Sequence, residues 1–196
     1  MPVRTQKERS DATTTELVEV ARRLFAADGY AATSLEDVVR GAGVTKGALY
    51  HHFGSKRDLF LAVYEREQQR LAQVQFEAFA RKKGAWEGFL AGSQAFFEAS
   101  LDPGVQRITL LDAPSVLGWE TMREVEGRYS LVQLHQGIEA LIHDGQLARR
   151  PVAPLANMLF GAMCEAAMMV ARSDDQRKAT KAVLAELRTI LEALRA

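Results

Sequence analysis

The 196-residue chain reads as an all-α protein of about nine helices. Three observations predict this. Apolar residues recur at three- and four-residue spacing almost throughout the chain. Ser, Thr and Asp stand at capping distance before these runs, with Gly after several of them. No stretch shows the apolar/polar alternation of a half-buried strand.

The first helix is expected from near Asp11 to Gly29, with Leu17, Val20, Ala21, Leu24 and Phe25 on one face and Gly29 as its cap. Residues 1–10 read as a flexible arm, with a solvated tail as the plain reading and a minor-groove role for Arg4, Lys7 and Arg9 as the functional one. Ser34, three residues before Asp37, opens a short helix that turns Leu35, Val38, Val39 and Ala42 inward and closes at Gly43. Thr45 caps the next helix, Lys46 to His52, with Leu49 and Phe53 inward. Ser55 with Asp58 repeats the cap spacing and launches a long helix toward Phe79.

Beyond Arg81, Lys82 and Lys83 the chain becomes richer in Met, Phe and Trp. The expected division is therefore an N-terminal head over 1–58, a connecting helix over 59–83 and a C-terminal domain over 84–196. Within the last, helices are expected at 85–101, 105–111, 115–144, 152–172 and 175–195. Turn signals separate them at Asp102-Pro103-Gly104, Asp112-Ala113-Pro114, 145–151 and Ser173-Asp174-Asp175.

Charge totals are uninformative: 25 basic residues balance 25 acidic ones, and residues 1–58 hold nine and eight. The lone Cys164 has no partner for an internal disulfide and, beside Met163, Met168 and Met169, reads as a small buried hydrophobe. With no apolar export signal near the N-terminus, the expected compartment is the cytoplasm. The segment from Pro154 to Ala171 is long and apolar but carries Asn157 and Glu165. A charge at a bilayer centre costs about 2.5–3.5 kcal/mol, so a buried helix at an interface is expected there and no membrane partner.

Function must be read from placement. Two short helices joined by Gly43-Val44-Thr45 and packed on a third make a helix-turn-helix, whose second helix is sized for the major groove. With Leu49 and Phe53 inward, Lys46, Gly47, Tyr50 and His51 face outward. Lys46 can reach guanine or phosphate, Gly47 and Ala48 allow close approach to the bases, and Tyr50 and His51 offer donors. Ser34 and Lys56, each at a helix start, combine a side-chain donor with free backbone N–H groups suited to phosphate. Singly each is more plausibly a cap or a solvated residue; together, at this spacing, they point to double-stranded DNA.

The run from Thr33 to Phe60, TSLEDVVRGAGVTKGALYHHFGSKRDLF, resembles the signature of the TetR family of transcriptional regulators. The resemblance implies phosphate contacts for Ser34, Tyr50, His51 and Lys56, contacts at or near bases for Lys46, Gly47 and Ala48, and a capping role for Thr45 that aims them. It also implies a repressor released from a pseudo-palindromic operator by a small apolar or amphipathic effector. Glu36 stands where such proteins often carry a basic or neutral residue.

The family implies dimerisation through the last two helices. Val183, Leu184, Leu187, Ile190, Leu191 and Leu194 form a stripe at three-four spacing, and Gly161, Ala162, Ala166 and Ala167 allow close helix approach. The expected homodimer interface is thus Gly161, Val183, Leu187, Ile190, Leu191 and Leu194, with packing inside one protomer as the alternative. Candidate effector contacts are Phe97, Trp119, Met122, Tyr129 and Glu165, the last because a buried carboxylate needs a partner.

His135, Glu139 and His143 share a helix face, but an exposed polar face is the favoured reading and no metal or cofactor is expected. No nucleophile elbow, phosphate loop or partner for Cys164 supports an enzyme. The rival readings are a helical enzyme, a protein-binding adaptor, and a metal-responsive or ligand-independent regulator.

Overall fold

Helix α1 (Gln6–Ala32) begins well before Asp11, because Thr5 and Glu8 form a capping box: the Glu8 N–H donates to Thr5 Oγ1 at 3.2 Å and the Thr5 N–H to the Glu8 carboxylate at 2.7 Å. In this computed structural model, which describes residues 5–195, the expected arm is therefore helical from Gln6 onward, Lys7 and Arg9 included. Arg4 lies outside the described residues. Gly29 (φ 81°, ψ 168°) kinks α1 in a conformation open essentially to glycine alone, and a Cβ there would overlap the Arg107 guanidinium.

Helices α2 (Leu35–Ala42), α3 (Lys46–His52) and α4 (Lys56–Ala80) follow, with Ser34, Thr45 and Ser55 as N-caps as the spacing predicts. Gly43 closes α2 in the left-handed conformation, φ 64° and ψ 28°, and turns the chain into α3. Then come α5 (Ala85–Ala99), α6 (Pro103–Val105), a π-helical segment Gln106–Asp112, α7 (Ala113–Leu117), α8 (Trp119–Arg128), α9 (Ser130–His143), α10 (Val152–Ala171) and α11 (Gln176–Ala193).

Two expected boundaries are corrected. Asp112-Ala113-Pro114 is no break: the chain stays helical, and the wide π turn just before Pro114 accommodates a residue that lacks an N–H and whose ring crowds the carbonyl four residues back. The single helix expected over 115–144 is instead interrupted twice. Gly118 takes φ 78°, and Tyr129 leaves helical geometry at φ −124°, ψ −87°. The Tyr129 hydroxyl is anchored to α4, donating to Glu65 at 3.0 Å and accepting from Gln69 at 2.8 Å.

The buried side chains form two cores. The first joins Leu17, Phe25, Val38, Leu49, Phe60 and Tyr64 of the head to Ile108, Ala113, Leu117 and Val125. The second packs Phe89, Phe96 and Phe97 of α5 against Ile138 and Leu141 of α9, Leu159 and Met163 of α10, and Leu187 and Leu191 of α11. Phe97 is thus an interior packing residue, 1% exposed.

This arrangement places two residues of the expected dimer stripe in the protomer's own core. Leu187 and Leu191 are 6% and 0% exposed within one protomer, Val183, Leu184 and Leu194 pack on the same core, and Ile190 alone of the stripe points outward. Val183, Leu184 and Leu194 stay partly exposed, while α5 and α10 pack over Leu187 and Leu191. Gly161 is half-buried on α10, and the apolar side chains exposed on that helix are Met158 and Met169. Glu165, expected to be buried, is exposed on the same helix.

Polar groups tie the head to the segment behind it. The Tyr30 N–H donates to Asp112 at 2.8 Å, Arg57 donates to the carbonyls of Val116 and Leu117 at 3.1 and 2.9 Å, and Glu67, 1% exposed, holds Arg22 of α1 at 2.7 Å. Deeper in, the Tyr64 hydroxyl and Arg123 both donate to Glu126, at 3.1 and 3.2 Å. Burial pushes the Glu126 carboxyl above its ordinary range, against the pull of Arg123 and Tyr64.

The folded state therefore holds the Glu126 proton more tightly than the unfolded chain, so the associated stability is complete below about 4.5 and is lost as pH rises through the raised value. Glu126→Gln removes this component. The expected outcome is a thermal midpoint that declines less than the wild type's between mildly acidic and alkaline pH, read by calorimetry; parallel curves would refute the assignment.

Candidate nucleic-acid interface

Helix α3 is fixed from one side only. Leu49, fully buried, and Phe53 seat it on the head's core, and His52 Nδ1 lies 3.1 Å from the Thr14 hydroxyl of α1. The opposite side carries Lys46, Gly47, Tyr50 and His51, all exposed, with Ala48 half-buried beside them. A Cβ on Gly47 would meet nothing closer than the Thr45 hydroxyl at 3.9 Å, so the bare backbone there is open to a close neighbour. The Thr45 hydroxyl accepts from the Ala48 N–H at 3.2 Å, which fixes the first turn from which Lys46 projects.

Lys46 does not stand alone. Its ammonium meets Glu36 of α2 at 2.6 Å, and the hydrogen bond lowers the Glu36 carboxyl and raises the Lys46 ammonium from their ordinary values. The only lysine of α3 is thus held across to α2 through solvent-exposed groups, an attachment of little worth in water that a base edge or phosphate can replace.

Two of the expected phosphate contacts also have structural duties. Ser34 Oγ donates to Asp37 at 2.6 Å while accepting from the Asp37 N–H at 3.1 Å, which lowers the Asp37 carboxyl. Lys56 donates to the carbonyls of Tyr30 and Thr33 at 2.8 and 3.0 Å and sits 4.2 Å over the Tyr30 ring. It pins the α1–α2 turn, a role that its position at a helix start did not announce. His52 and Thr14 were likewise missed; the signal was His52 at three residues from Leu49, on the inward flank of α3.

The expected effector contacts are not brought together. Trp119 is 69% exposed with Arg123 over its ring, Met122 packs on the first core, and Tyr129 is engaged by α4. Together with Phe97 in the second core and Glu165 at the surface, none of the five lines the apolar cavity that is present. That cavity, of about 170 Å³, lies between α4, α5, α9 and α10 and is walled by Phe76, Phe79, Phe89, Gln133, Leu134 and Met163 among others. Sequence reading missed it because two of its aromatic walls, Phe76 and Phe79, come from the far end of α4, which looked like plain connecting helix. His135 and His143 gather no third ligand: among the described residues no group of His, Cys, Asp and Glu is placed to hold a metal.

Comparison with known proteins agrees with this geometry. The family model of bacterial regulatory proteins of the tetR family matches residues 17–63, and that of the tetracycline repressor-like C-terminal domain matches residues 86–194. A TetR-family transcriptional regulator of known structure from Pectobacterium atrosepticum is 32% identical, covers 98% of both chains and superposes with a TM-score of 0.83. The TetC protein of transposon Tn10 from Escherichia coli is 27% identical over 80% of this chain and 79% of its own. The HTH-type transcriptional repressor AcnR of Corynebacterium glutamicum is 41% identical over 59 residues, 30% of this chain and 31% of that one.

The different duties of these side chains give separable effects. Tyr50→Phe is expected to weaken binding to every duplex alike, by about 0.5–1.5 kcal/mol for one lost hydrogen bond. Lys46→Ala is expected to change which duplex is preferred. Lys56→Ala is expected to lower the thermal midpoint as well as affinity, because two carbonyls lose their donor. Competitive binding to a panel of duplexes, with melting curves alongside, checks all three; equal loss of specificity for Tyr50→Phe and Lys46→Ala would refute the division.

Proposed function

The chain belongs to the TetR family of transcriptional regulators, and from that premise we propose that it is a homodimeric repressor that grips a pseudo-palindromic operator through α3 and releases it when a small molecule fills its C-terminal domain. The observation that carries this reading is the one-sided seating of α3. Its inner side is sealed by Leu49 and Phe53, while Lys46, Gly47, Tyr50 and His51 stand clear on the outer side. Lys46, Gly47 and Ala48 then approach base edges, Thr45 holds their turn, Tyr50 and His51 meet phosphates, and Ser34 does so by exchanging Asp37 for the phosphate as its acceptor. Lys56 has three N–H donors and spends two on carbonyls, which leaves one for a phosphate.

Proteins of this family bind operators as dimers. In this chain the dimer face is assigned to the outer side of α10 and α11, where Met158, Ala162, Met169 and Ile190 are exposed. Residues 1–58 act as the reading head, 59–83 as the connecting lever and 84–196 as the effector and dimerisation domain. The cavity between α4, α5, α9 and α10 is the effector site. The cytoplasm, where operator and effector meet, is the compartment of this activity.

Selection of bound duplexes from a random pool tests the reading. The expected result is a pseudo-palindrome whose half-sites lie about one helical turn or somewhat more apart. Enrichment of a single asymmetric half-site, or of no sequence, would overturn it.

A further inference from the structure

The cavity specifies more about its occupant than that one exists. Its walls include three phenyl rings, Phe76, Phe79 and Phe89, and Phe76 is 57% exposed at the mouth. Gly137 leaves room for a ring, since a Cβ there would stand 2.9 Å from the Phe89 ring, and Gly92 lets α5 lie close to α4, since a Cβ there would stand 3.2 Å from the Gln75 carbonyl. The space, about 170 Å³ and open at Phe76, has room for one small ring, since an apolar cavity of roughly 150 Å³ accepts benzene.

The polar content is equally restricted. Among the described residues no ionisable side chain lines the cavity. Ser93 spends its hydroxyl proton on the Phe89 carbonyl and is left as an acceptor, and Gln75 gives one of its two N–H groups to the Leu71 carbonyl, which leaves its oxygen and one N–H. Gln133 and Gln136 bring carboxamides that, among the described residues, no other protein group engages, and a carboxamide both donates and accepts. An ionised ligand would surrender its hydration here with nothing of opposite charge to meet it. A neutral hydroxyl or amide would find both kinds of partner, and an aromatic ring would find edge and face contacts with three phenyl groups.

We propose that this cavity takes an uncharged, single-ring aromatic molecule bearing a hydroxyl or amide group, a reading that rests on its assignment as the effector site. Three probes of equal ring size separate charge from shape at neutral pH: phenol, benzoate and benzylammonium. Titration calorimetry on the full chain is expected to show phenol binding and both ions at least about tenfold weaker. Gln133→Glu places a carboxylate in the wall and is expected to bring benzylammonium level with or above phenol. Ala140→Phe fills the space and is expected to abolish phenol binding; circular dichroism and operator retention report whether each variant is folded.

Benzoate or benzylammonium binding the wild type as tightly as phenol, no binding by phenol, or an unchanged order in folded Gln133→Glu would each overturn the assignment. Operator affinity measured with and without phenol keeps the two readings apart. Phenol binding at this cavity with unchanged operator affinity supports the ligand class and overturns the effector role, whereas failure of phenol beside intact operator binding overturns the ligand class alone.

Discussion

The reading head has no closed core of its own, and the rest of the structure depends on that. Phe25 and Phe60 stack edge to face at 5.1 Å, Tyr64 lies beneath them, and the side chains that complete this cluster, Ile108, Ala113, Leu117 and Val125, come from the segment behind α5. Each large side chain withdrawn from water here contributes about 1.5–3 kcal/mol, so undocking the head from that segment would expose several at once. Head and segment consequently share one orientation. The boundary drawn near residue 58 from composition marks a change of task, while the packing boundary runs through the C-terminal half, between the residues around Val125 and those around Ile138.

Polar contacts then select one docking geometry from those the apolar surfaces allow. Glu67 is withdrawn from water with Arg22 and Arg70 upon it, at 2.7 and 3.1 Å. Such a pair adds little net stability after desolvation but is expensive to break, so a register of α1 on α4 that separates the partners is excluded. Asp112 does similar work by accepting the Tyr30 N–H just past the Gly29 kink, where the Arg107 guanidinium occupies the space of the missing side chain. The π-helical turn that accommodates Pro114 ends at Asp112, so one irregularity of the C-terminal half meets one irregularity of the head.

Local chemistry was legible in the sequence; competition between surfaces was not. Ser34, Thr45 and Ser55 cap their helices as their spacing demands, because a cap is decided by residues within three positions of each other. The same holds for the outward face of α3, since Leu49 and Phe53 have no other way to be buried. The stripe from Val183 to Leu194 is an equally clear pattern, but periodicity tells only that a face is covered. What covers it depends on elements far away in sequence, and within the protomer α5 and α10 cover Leu187 and Leu191. Trp119 shows the converse: its size and its place after Gly118 invited a buried role, yet a cation stacked on its ring leaves it at the surface. Glu126 lay on no pattern at all, because its burial follows from the break at Tyr129.

Helix α4 carries the consequence of this architecture for regulation. It starts at Lys56, beside the α1–α2 turn, and by Phe76 it is lining the cavity, about 30 Å further on at 1.5 Å per residue. A bound molecule that shifts Phe76 and Phe79 acts on the far end of a lever whose near end is embedded in the head's core. A tilt of about 5° over that length displaces the near end by roughly 2–3 Å, comparable to the span of a hydrogen bond. In the mechanism proposed above, Tyr64 and Phe60, which belong to both the lever and the core, would pass that displacement to the head that carries α3. The coupling is then limited by the ligand's differential affinity for the two lever positions, typically 1–3 kcal/mol, or 5–150-fold in affinity for the partner of α3. By linkage the same quantity would weaken the ligand when that partner is bound, so regulation of the proposed kind needs no contact between the two sites, only the helix that belongs to both.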